Sequence, residues 1–331
     1  MLFGIDIQET VIRDWGHDIL DNLLKDRTTG ENIIWATNDY LSRGEGYSFY
    51  DKMTSDLICR DNCRIVQPRI SKSFEEQKKR INEKAEVFTP SWICNSQNNL
   101  IDKVWFQTSI DVFNREVEKD GVHSWEMTNS LPPYPTGKNW KTYISENRLE
   151  MACGEAPYLC SRYDTTTGEV IPVERRIGLL DRKFIIINNN TPDITSDMDK
   201  KQRKNVHKQW RRAAYKALQS IYGFEWQGDN LLLARESLLI TFIEYYQAKW
   251  KTLKLPDKEC LRKAAEIISW NIWQMDGITY GIPGYTPTED PYGLQFAVPP
   301  REKYCRVKEW KGQEPLQGNE IIFLKLLNTK N

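Results

Sequence analysis

The fold prediction rests on the stretch RLEMACGEAPYLCSRYD, residues 148–164. It predicts the apolar end of a strand, an acid at Glu150, a turn around Gly154 and then a helix. Such a turn lets the backbone approach a nucleotide at the carboxyl end of a strand, and it needs small residues to do so. Only Gly154 and Ala156 meet that need, so this stretch alone favours an ordinary strand–helix turn over a nucleotide site.

The bulk composition is that of a soluble globular protein, with 331 residues of which 40% are hydrophobic and 28% charged. This length is enough for one large hydrophobic core or two smaller ones. No apolar run is long enough to span a bilayer, and the N-terminus carries acids where a signal peptide would carry bases. We therefore expect a cytoplasmic protein without a membrane partner.

The seven cysteines do not predict a metal site. Their number is odd, and no two are separated by only two residues. Cys59 and Cys63 are one helical turn apart, but no second pair completes the four ligands of a structural zinc site. Most are predicted to be reduced thiols in the core.

Apolar spacing predicts a mostly helical region over residues 1–85 and alternating helices and short strands after it. The run Phe184–Ile187 predicts a strand, closed by three asparagines. Two more strands are predicted, one in NIWQMDG, which ends at Asp276, and one in KYCRVKEWK. Helices that alternate with few short strands are typical of an α/β sheet.

A basic helix is predicted over Asp199–Lys216, which carries eight Lys and Arg residues although the whole chain has a net charge of zero. One interpretation is a DNA contact in which these cations neutralise phosphates. The other is the solvated face of an amphipathic helix, which is the commoner meaning of such a run. The candidate DNA contacts are Lys200, Lys201, Arg203, Lys204, Lys208, Arg211 and Arg212.

Four stretches carry a resemblance to a known family: KAEVFTPSWICNSQNNLID, RLEMACGEAPYLCSRYDTTTGEVIPVERRIGLLDRK, YGFEWQGDNLLLARESLLITFIEYY and ISWNIWQMDG. The chain resembles the SAM-dependent adenine-N6 DNA methyltransferases of restriction–modification systems, and most closely the restriction endonuclease subunit M group. The resemblance implies a class I Rossmann-like methyltransferase sheet. The helical region would occupy 1–85 and the SAM-binding domain 86–331, with a helical insertion at about 190–256.

The resemblance also implies which residues hold SAM. A Phe-Thr-Pro segment packs against the methionine end of SAM in the family, and the glycine turn follows it. An acid at the end of a neighbouring strand holds the ribose, and a later acid accepts from the adenine amino group; Asp276 and Glu309 match these two. The full set of cofactor residues is Phe88, Thr89, Pro90, Glu150, Ala152, Cys153, Gly154, Ala156, Tyr158, Asp276 and Glu309.

Three departures from the family pattern fall in the turn, and one of them is Ala156 in place of the second glycine. Met151 stands in place of a proline, and Glu155 stands where a small polar residue is usual. The charge of Glu155 would repel the carboxylate of SAM or receive its ammonium group. The gap between the turn and Asp276 is also longer than a minimal βαβ unit of roughly 30 residues, which is why an insertion is predicted.

The catalytic motif of the family is missing from the chain. Adenine methyltransferases use Asp/Asn-Pro-Pro-Tyr/Phe to accept from the target amino group and to stack on the flipped base. The segments LPPYP at 131–135 and DPYG at 290–293 lack the required residues and predict loops. No catalytic residue and no nuclease metal site is predicted in this chain.

The resulting hypothesis is a SAM-binding subunit that is inactive alone. It would belong to a DNA adenine-N6 methyltransferase of a restriction–modification or phage-defence system, with double-stranded DNA as substrate and a second subunit that carries the catalytic motif. One alternative is a non-catalytic scaffold or sensor with a methyltransferase fold that binds DNA or protein partners. Another is a purely structural subunit with an empty pocket.

Overall fold

A computed structural model describes residues 3–59, 64–84, 88–284, 304–312 and 314–327. Within these ranges the fold is mixed α/β, with many helices and three small sheets.

The helices and strands are numbered in chain order. The helices are α1 Glu9–Trp15, α2 His17–Leu24, α3 Ser55–Ile58, α4 Phe74–Lys84, α5 Ser91–Phe106, α6 Trp140–Ile144, α7 Leu179–Asn190, α8 Lys200–Gln219, α9 Gly228–Trp250, α10 Lys258–Asn271 and α11 Phe323–Leu327. The strands are β1 Asn114–Lys119, β2 Val122–Met127, β3 Arg148–Glu150, β4 Ile221–Glu225, β5 Ile272–Gln274, β6 Arg306–Trp310 and β7 Gly318–Ile322.

The central sheet has the order β3-β4-β5, and both pairs of strands are parallel. Parallel neighbours need long crossover connections, and here helices supply them. Helices α7 and α8 lie between β3 and β4, whereas α9 and α10 lie between β4 and β5. The carboxyl ends of the three strands therefore meet at one edge of the sheet.

The segment predicted as an insertion, about 190–256, contains the middle strand of this sheet. Residue Gly223 of β4 pairs with Glu150 on one side and with Ile272 on the other. The sequence analysis did not predict this strand. The long gap before Asp276 is thus two successive crossovers rather than one crossover with an insertion.

The predicted strand Phe184–Ile187 is wrong, because these residues lie inside helix α7. A short apolar run does not distinguish a buried strand from a buried helix. Phe184, Ile186 and Ile187 are all fully buried, so the run is apolar because the helix lies in the core. The helix predicted directly after the glycine turn is also absent, and residues 155–178 form loops with one short 3-10 turn at Val173–Arg175.

Several other predicted elements are confirmed. The predicted helical region over residues 1–85 contains α1 to α4, and the predicted basic helix is α8. The strands predicted near Asp276 and Glu309 are β5 and β6. Strand β6, however, pairs antiparallel with β7 in a separate hairpin and does not extend the parallel sheet.

The N-terminal helical region shares its hydrophobic core with the rest of the chain. One cluster of buried side chains includes Leu20, Trp35, Leu232 and Ile268. Helix α9 runs through this cluster and is buried along most of its length. A smaller cluster, which includes Phe224 and Val307, joins the central sheet to the hairpin of β6 and β7.

The described cysteines are buried and form no disulfide, whereas Cys63 lies outside the described residues. No helix in the described part of the chain is both long and apolar enough to span a bilayer.

A buried carboxylate joins the N-terminal region to α9. Asp229 lies in the first turn of this helix and is fully buried. Its Oδ2 accepts from Tyr40 Oη at 2.8 Å and from Arg80 Nη1 at 2.8 Å, and it lies 3.3 Å from Lys72 Nζ. Burial alone would raise the pKa of Asp229, but the two cations hold it well below its usual range.

Replacing this carboxylate should destabilise the protein strongly. Asp229→Asn removes the carboxylate that pairs with Lys72 and leaves Arg80 with the more distant carboxylate of Asp39 at 3.5 Å. The expected loss is about 3 kcal/mol in the free energy of unfolding. Urea unfolding measures it. The matched control is Asp193→Asn, which removes an exposed carboxylate 2.7 Å from Lys249 and should cost less than about 1 kcal/mol. Equal losses in the two variants would contradict the importance of the buried cluster.

Candidate cofactor site

A cleft of about 650 Å³ opens at the carboxyl ends of the three parallel strands. In open α/β sheets, ligands bind in the crevice at this edge. Each strand contributes lining residues from its end, and the N-terminal region and α4 supply the opposite wall. The lining residues are Ala36, Thr37, Asn38, Asp39, Phe49, Lys79, Glu83, Ala152, Phe224, Glu225, Trp226, Gln227, Met275 and Gly277.

Glu225 is one of three acids that line this cleft, together with Asp39 and Glu83. It ends β4, the strand that pairs directly with β3, and only 7% of its surface is exposed. Its carboxylate accepts from the backbone N–H of Gly154 at 2.9 Å and from that of Gln227 at 3.1 Å. The two bonds fix the carboxylate beside the glycine turn.

Sequence reasoning missed Glu225 because it missed strand β4. The signal was present in YGFEWQGDNLLLAR, where a short strand ends in an acid directly before a long helix. The same order occurs in dinucleotide-binding sheets, where the acid at the end of the second strand holds a ribose.

Asp276 does not occupy the position that the prediction gave it. It lies two residues beyond β5, and β5 pairs with β4 rather than with β3. Its carboxylate accepts from the backbone N–H of Ile278 and from the hydroxyl of Thr279, both at 2.8 Å. The side chain therefore shapes its own turn, although its neighbours Met275 and Gly277 line the cleft.

The glycine turn has an unusual backbone. Ala152, Gly154 and Ala156 have φ values of 48°, 53° and 61°, in the left-handed region. This conformation is natural for glycine but costs an alanine roughly 1–2 kcal/mol. The turn is held by bonds from Cys153 N to Phe224 O at 2.9 Å and from Ala156 N to Cys153 O at 2.7 Å. Strain of this kind clusters at functional sites, and Ala152 lines the cleft.

Glu150 stabilises the turn through hydrogen bonds and does not line the cleft. Its two carboxylate oxygens accept from the backbone N–H groups of Tyr158 and Leu159, at 3.4 Å and 3.2 Å. Burial raises the pKa of Glu150 to about 8.

Glu155 is also engaged within the protein. Its carboxylate accepts from the backbone N–H of Arg69 and from the hydroxyl of Tyr163, both at 2.6 Å. The side chain is buried and does not line the cleft. The carboxylate of Glu155, which departs from the family pattern, is therefore engaged in hydrogen bonds within the protein.

The Phe-Thr-Pro segment lies against the glycine turn. The Phe88 ring is 3.9 Å from the position that a Cβ on Gly154 would occupy, and Arg69 lies over this ring at 4.8 Å. The Thr89 carbonyl accepts from the Thr165 hydroxyl at 3.3 Å, and Pro90 precedes α5 as its N-cap. Of the eleven predicted cofactor residues, all of which the structure describes, Ala152 alone lines the cleft itself.

Glu309 lies away from the cleft. It is on β6, opposite Asn319 of β7, and its carboxylate is 2.8 Å from Lys311 Nζ. Since this hairpin is antiparallel and separate from the central sheet, its end does not meet the carboxyl ends of the parallel strands. The assignment of Glu309 to the adenine amino group is therefore not supported by its position.

The walls of the cleft combine aromatic rings with charges. Phe49 and Trp226 lie with ring centroids 6.3 Å apart, and Trp226 Nε1 donates to the Ala36 carbonyl at 3.2 Å. At the rim, Lys79 Nζ is 3.6 Å from Asp39 and 4.0 Å from Glu83. The cleft therefore offers flat apolar surface inside and both signs of charge at its edge.

All seven predicted DNA contacts lie on α8, but two of them are engaged elsewhere. Arg203 donates to the Met198 carbonyl at 2.9 Å, and Arg211 Nη1 is 2.7 Å from Asp257. The other five side chains, Lys200, Lys201, Lys204, Lys208 and Arg212, are exposed. Of the two proline segments considered for catalysis, 131–135 is a loop, and 290–293 lies outside the described residues.

No three His, Cys, Asp or Glu side chains within the described ranges are grouped so as to hold a metal ion. Comparison of the chain with protein-family models, with curated proteins and with solved structures gave no match.

The raised pKa of Glu150 predicts a specific pH dependence of stability. Between its unfolded value of 4.5 and about 8, the folded protein keeps a proton that the unfolded chain releases, so the free energy of unfolding falls as pH rises. Glu150→Gln should make this fall shallower, as measured by urea unfolding from acidic to alkaline pH. Burial also raises the pKa of Glu9 to about 8, so part of the slope should remain. An unchanged slope in the variant would contradict the assignment.

Proposed function

We propose that this protein is the SAM-binding subunit of a DNA adenine-N6 methyltransferase in a restriction–modification or phage-defence system. The proposal includes a Rossmann-like methyltransferase sheet, of which β3, β4 and β5 form one half. The observation that carries it is the cleft at the carboxyl ends of these strands, where Glu225 is fixed beside the glycine turn.

The dimensions and chemistry of the cleft fit a nucleoside. Its volume of about 650 Å³ lies within the range of small-molecule pockets. Phe49 and Trp226 offer aromatic faces for the adenine ring. Glu225 offers a carboxylate to the ribose hydroxyls, the role that an acid has at this point of a dinucleotide-binding sheet.

The methionine end of SAM would extend toward Gly154 and Phe88, where the Phe-Thr-Pro segment meets the turn. Glu155 does not oppose the ligand carboxylate there, because its own carboxylate is engaged by Arg69 and Tyr163. When bound, SAM supplies a methyl group activated by its sulfonium centre. This chain contributes binding and orientation to the reaction.

A partner chain completes the proposed enzyme. In a doubly wound sheet the second half begins beside the first strand, which here is β3. In the described residues β3 pairs only with β4, so its other edge has no strand partner there. A strand from the partner, followed by its Asn-Pro-Pro-Tyr motif, would reach the cleft from that side.

A second candidate function is a non-catalytic scaffold or sensor that binds DNA or a protein. The observation that favours it is the absence of an Asn-Pro-Pro-Tyr-like motif from the 331 residues. Cofactor binding without methyl transfer in any complex would support a sensor, whereas no cofactor binding at all would leave a structural subunit.

Calorimetry with SAM tests the cleft. Glu225→Gln should weaken SAM binding by ten-fold to a hundred-fold, because a hydrogen bond to a charged group contributes about 1.5–3 kcal/mol. The matched control is Asp276→Asn, whose carboxylate bonds within its own turn, and it should bind SAM within about two-fold of wild type. Free methionine does not contain the ribose, so any binding of methionine should be unaffected by Glu225→Gln.

Two outcomes would count against this assignment. If the wild-type protein binds no SAM, alone or with a partner, the cofactor proposal fails. If Asp276→Asn weakens SAM more than Glu225→Gln does, the ribose acid is Asp276 after all.

Transfer of labelled methyl groups to DNA tests whether a second subunit supplies the catalytic motif. The isolated chain should give no N6-methyladenine, because its sequence contains no Asn-Pro-Pro-Tyr-like motif to accept from the target amino nitrogen. Addition of a subunit that carries Asn-Pro-Pro-Tyr should produce it. Methylation by the isolated chain would refute the two-subunit proposal.

A further inference from the structure

The exposed face of α8 carries a regular row of cations, which we call the cation row. It consists of every fourth residue along the helix: Lys200, Lys204, Lys208, Arg212 and Lys216. All five side chains are exposed, and none forms an ion pair within the described part of the chain. The helix itself contains no Asp or Glu.

The geometry of the row suits a linear polyanion. Four residues of α-helix rise about 6 Å, so the row extends over about 24 Å. Each step also turns about 40° around the helix axis, so the row crosses one face gradually. The opposite face, with Val206, Trp210 and Ala217, is buried against the core, which fixes the row in place.

The row ends in a second cavity, the basic pocket, with a volume of about 460 Å³. Its lining residues are Lys208, Arg211, Arg212, Tyr215, Lys216, Gln219, Asp257, Glu259, Cys260, Lys263, Gly312, Glu314 and Pro315.

Two of the three acids in the basic pocket are already paired. Asp257 lies 2.7 Å from Arg211, and Glu259 lies 2.9 Å from Arg262 and 3.2 Å from Lys263. The cations of the row that reach the pocket therefore remain in excess.

A solvated helix face does not account for this pattern as well as a binding surface does. Exposed helix faces usually mix both signs of charge, and pairs four residues apart with like charge destabilise the helix. The cation row contains four successive pairs of like charge at this spacing. The chain as a whole has equal numbers of acidic and basic residues, so the concentration on α8 is local.

We propose that the cation row and the basic pocket form a track that binds the phosphate backbone of double-stranded DNA. Naming DNA as the polymer rests on the proposed function, whereas the track itself follows from α8. A track of about 24 Å covers roughly seven base pairs of duplex. Lys and Arg contacts to phosphate position a duplex without reading its sequence, so binding through the track is independent of sequence.

The position of the track makes it an anchor rather than the site of methyl transfer. Only Ser220 separates the end of α8 from the start of β4, so Lys216 lies near the amino end of the central sheet. The cofactor cleft lies at the opposite, carboxyl end. The duplex would therefore extend along the side of the sheet, with the Lys200 end of the row toward the cleft. The track adds Lys216 to the sequence-predicted contacts and leaves out Lys201 and Arg203. Arg211 and Lys263 line the basic pocket but are already paired with Asp257 and Glu259.

Fluorescence anisotropy with a labelled duplex, at salt concentrations from about 50 to 200 mM, tests the track. Lys208→Gln/Arg212→Gln/Lys216→Gln should reduce the magnitude of the slope of log affinity against log salt by about 2.7, since each lost phosphate contact contributes about 0.9. The matched control is Lys119→Gln/Lys254→Gln/Lys325→Gln, which neutralises exposed lysines outside α8 and should leave the slope unchanged. Arg203→Gln should also leave it unchanged.

An unchanged slope in the α8 triple variant, or an equal change in the control, would overturn the track. Tighter binding of a single-stranded RNA of equal length, lost in the same variant, would overturn the choice of DNA. SAM calorimetry on the triple variant separates this inference from the proposed function. If wild type binds no SAM but the duplex result holds, the cofactor proposal fails and the track stands.

Discussion

Parallel pairing of β4 with both β3 and β5 is the constraint on which the rest of the structure depends. Parallel neighbours cannot be joined by tight turns, so the chain must cross over twice, through α7 and α8 and then through α9 and α10. The same pairing places the three strand ends side by side. Ala152, Glu225 and Met275 are distant in sequence, yet they line one cleft because each lies at or just beyond the carboxyl end of its strand.

Buried charges attach the helices to this sheet. Arg235 of α9 donates to the carbonyls of Ile272 at 2.7 Å and Ser269 at 3.2 Å, and burial lowers its pKa to about 9. Asp229, in the first turn of the same helix, forms ion pairs with Lys72 and Arg80 of the N-terminal region. A buried charge is tolerated only when it is paired or hydrogen-bonded, so these contacts fix where the N-terminal region lies. That region also supplies one wall of the cleft. Its buried side chains belong to the same hydrophobic core as those of the sheet, so it does not form a unit of its own.

The sequence predicted long amphipathic helices well and short strands poorly. Helix α8 was predictable because its apolar residues recur at helical spacing over five turns. Strand β4 has five residues, one of them Gly223, and it follows α8 almost directly, so no local signal separates the two. In α7 the apolar run at Phe184 reflects burial, which a helix and a strand in the core share. The glycine turn was located, but the prediction did not anticipate that Glu150 and Glu155 are engaged internally.

Local sequence thus established the chemical types present: a small-residue turn at Gly154, a Phe-Thr-Pro segment, a basic helix and no Asn-Pro-Pro-Tyr motif. These depend on residue identity and on spacing within one element. The tertiary structure decided which acid faces the turn, because strand order is set by pairing between segments about 70 residues apart. It placed Glu225 beside Gly154 and directed the carboxylate of Asp276 into its own turn. It also decided which cations of α8 remain unpaired, since the acid that engages Arg211 comes from the start of α10.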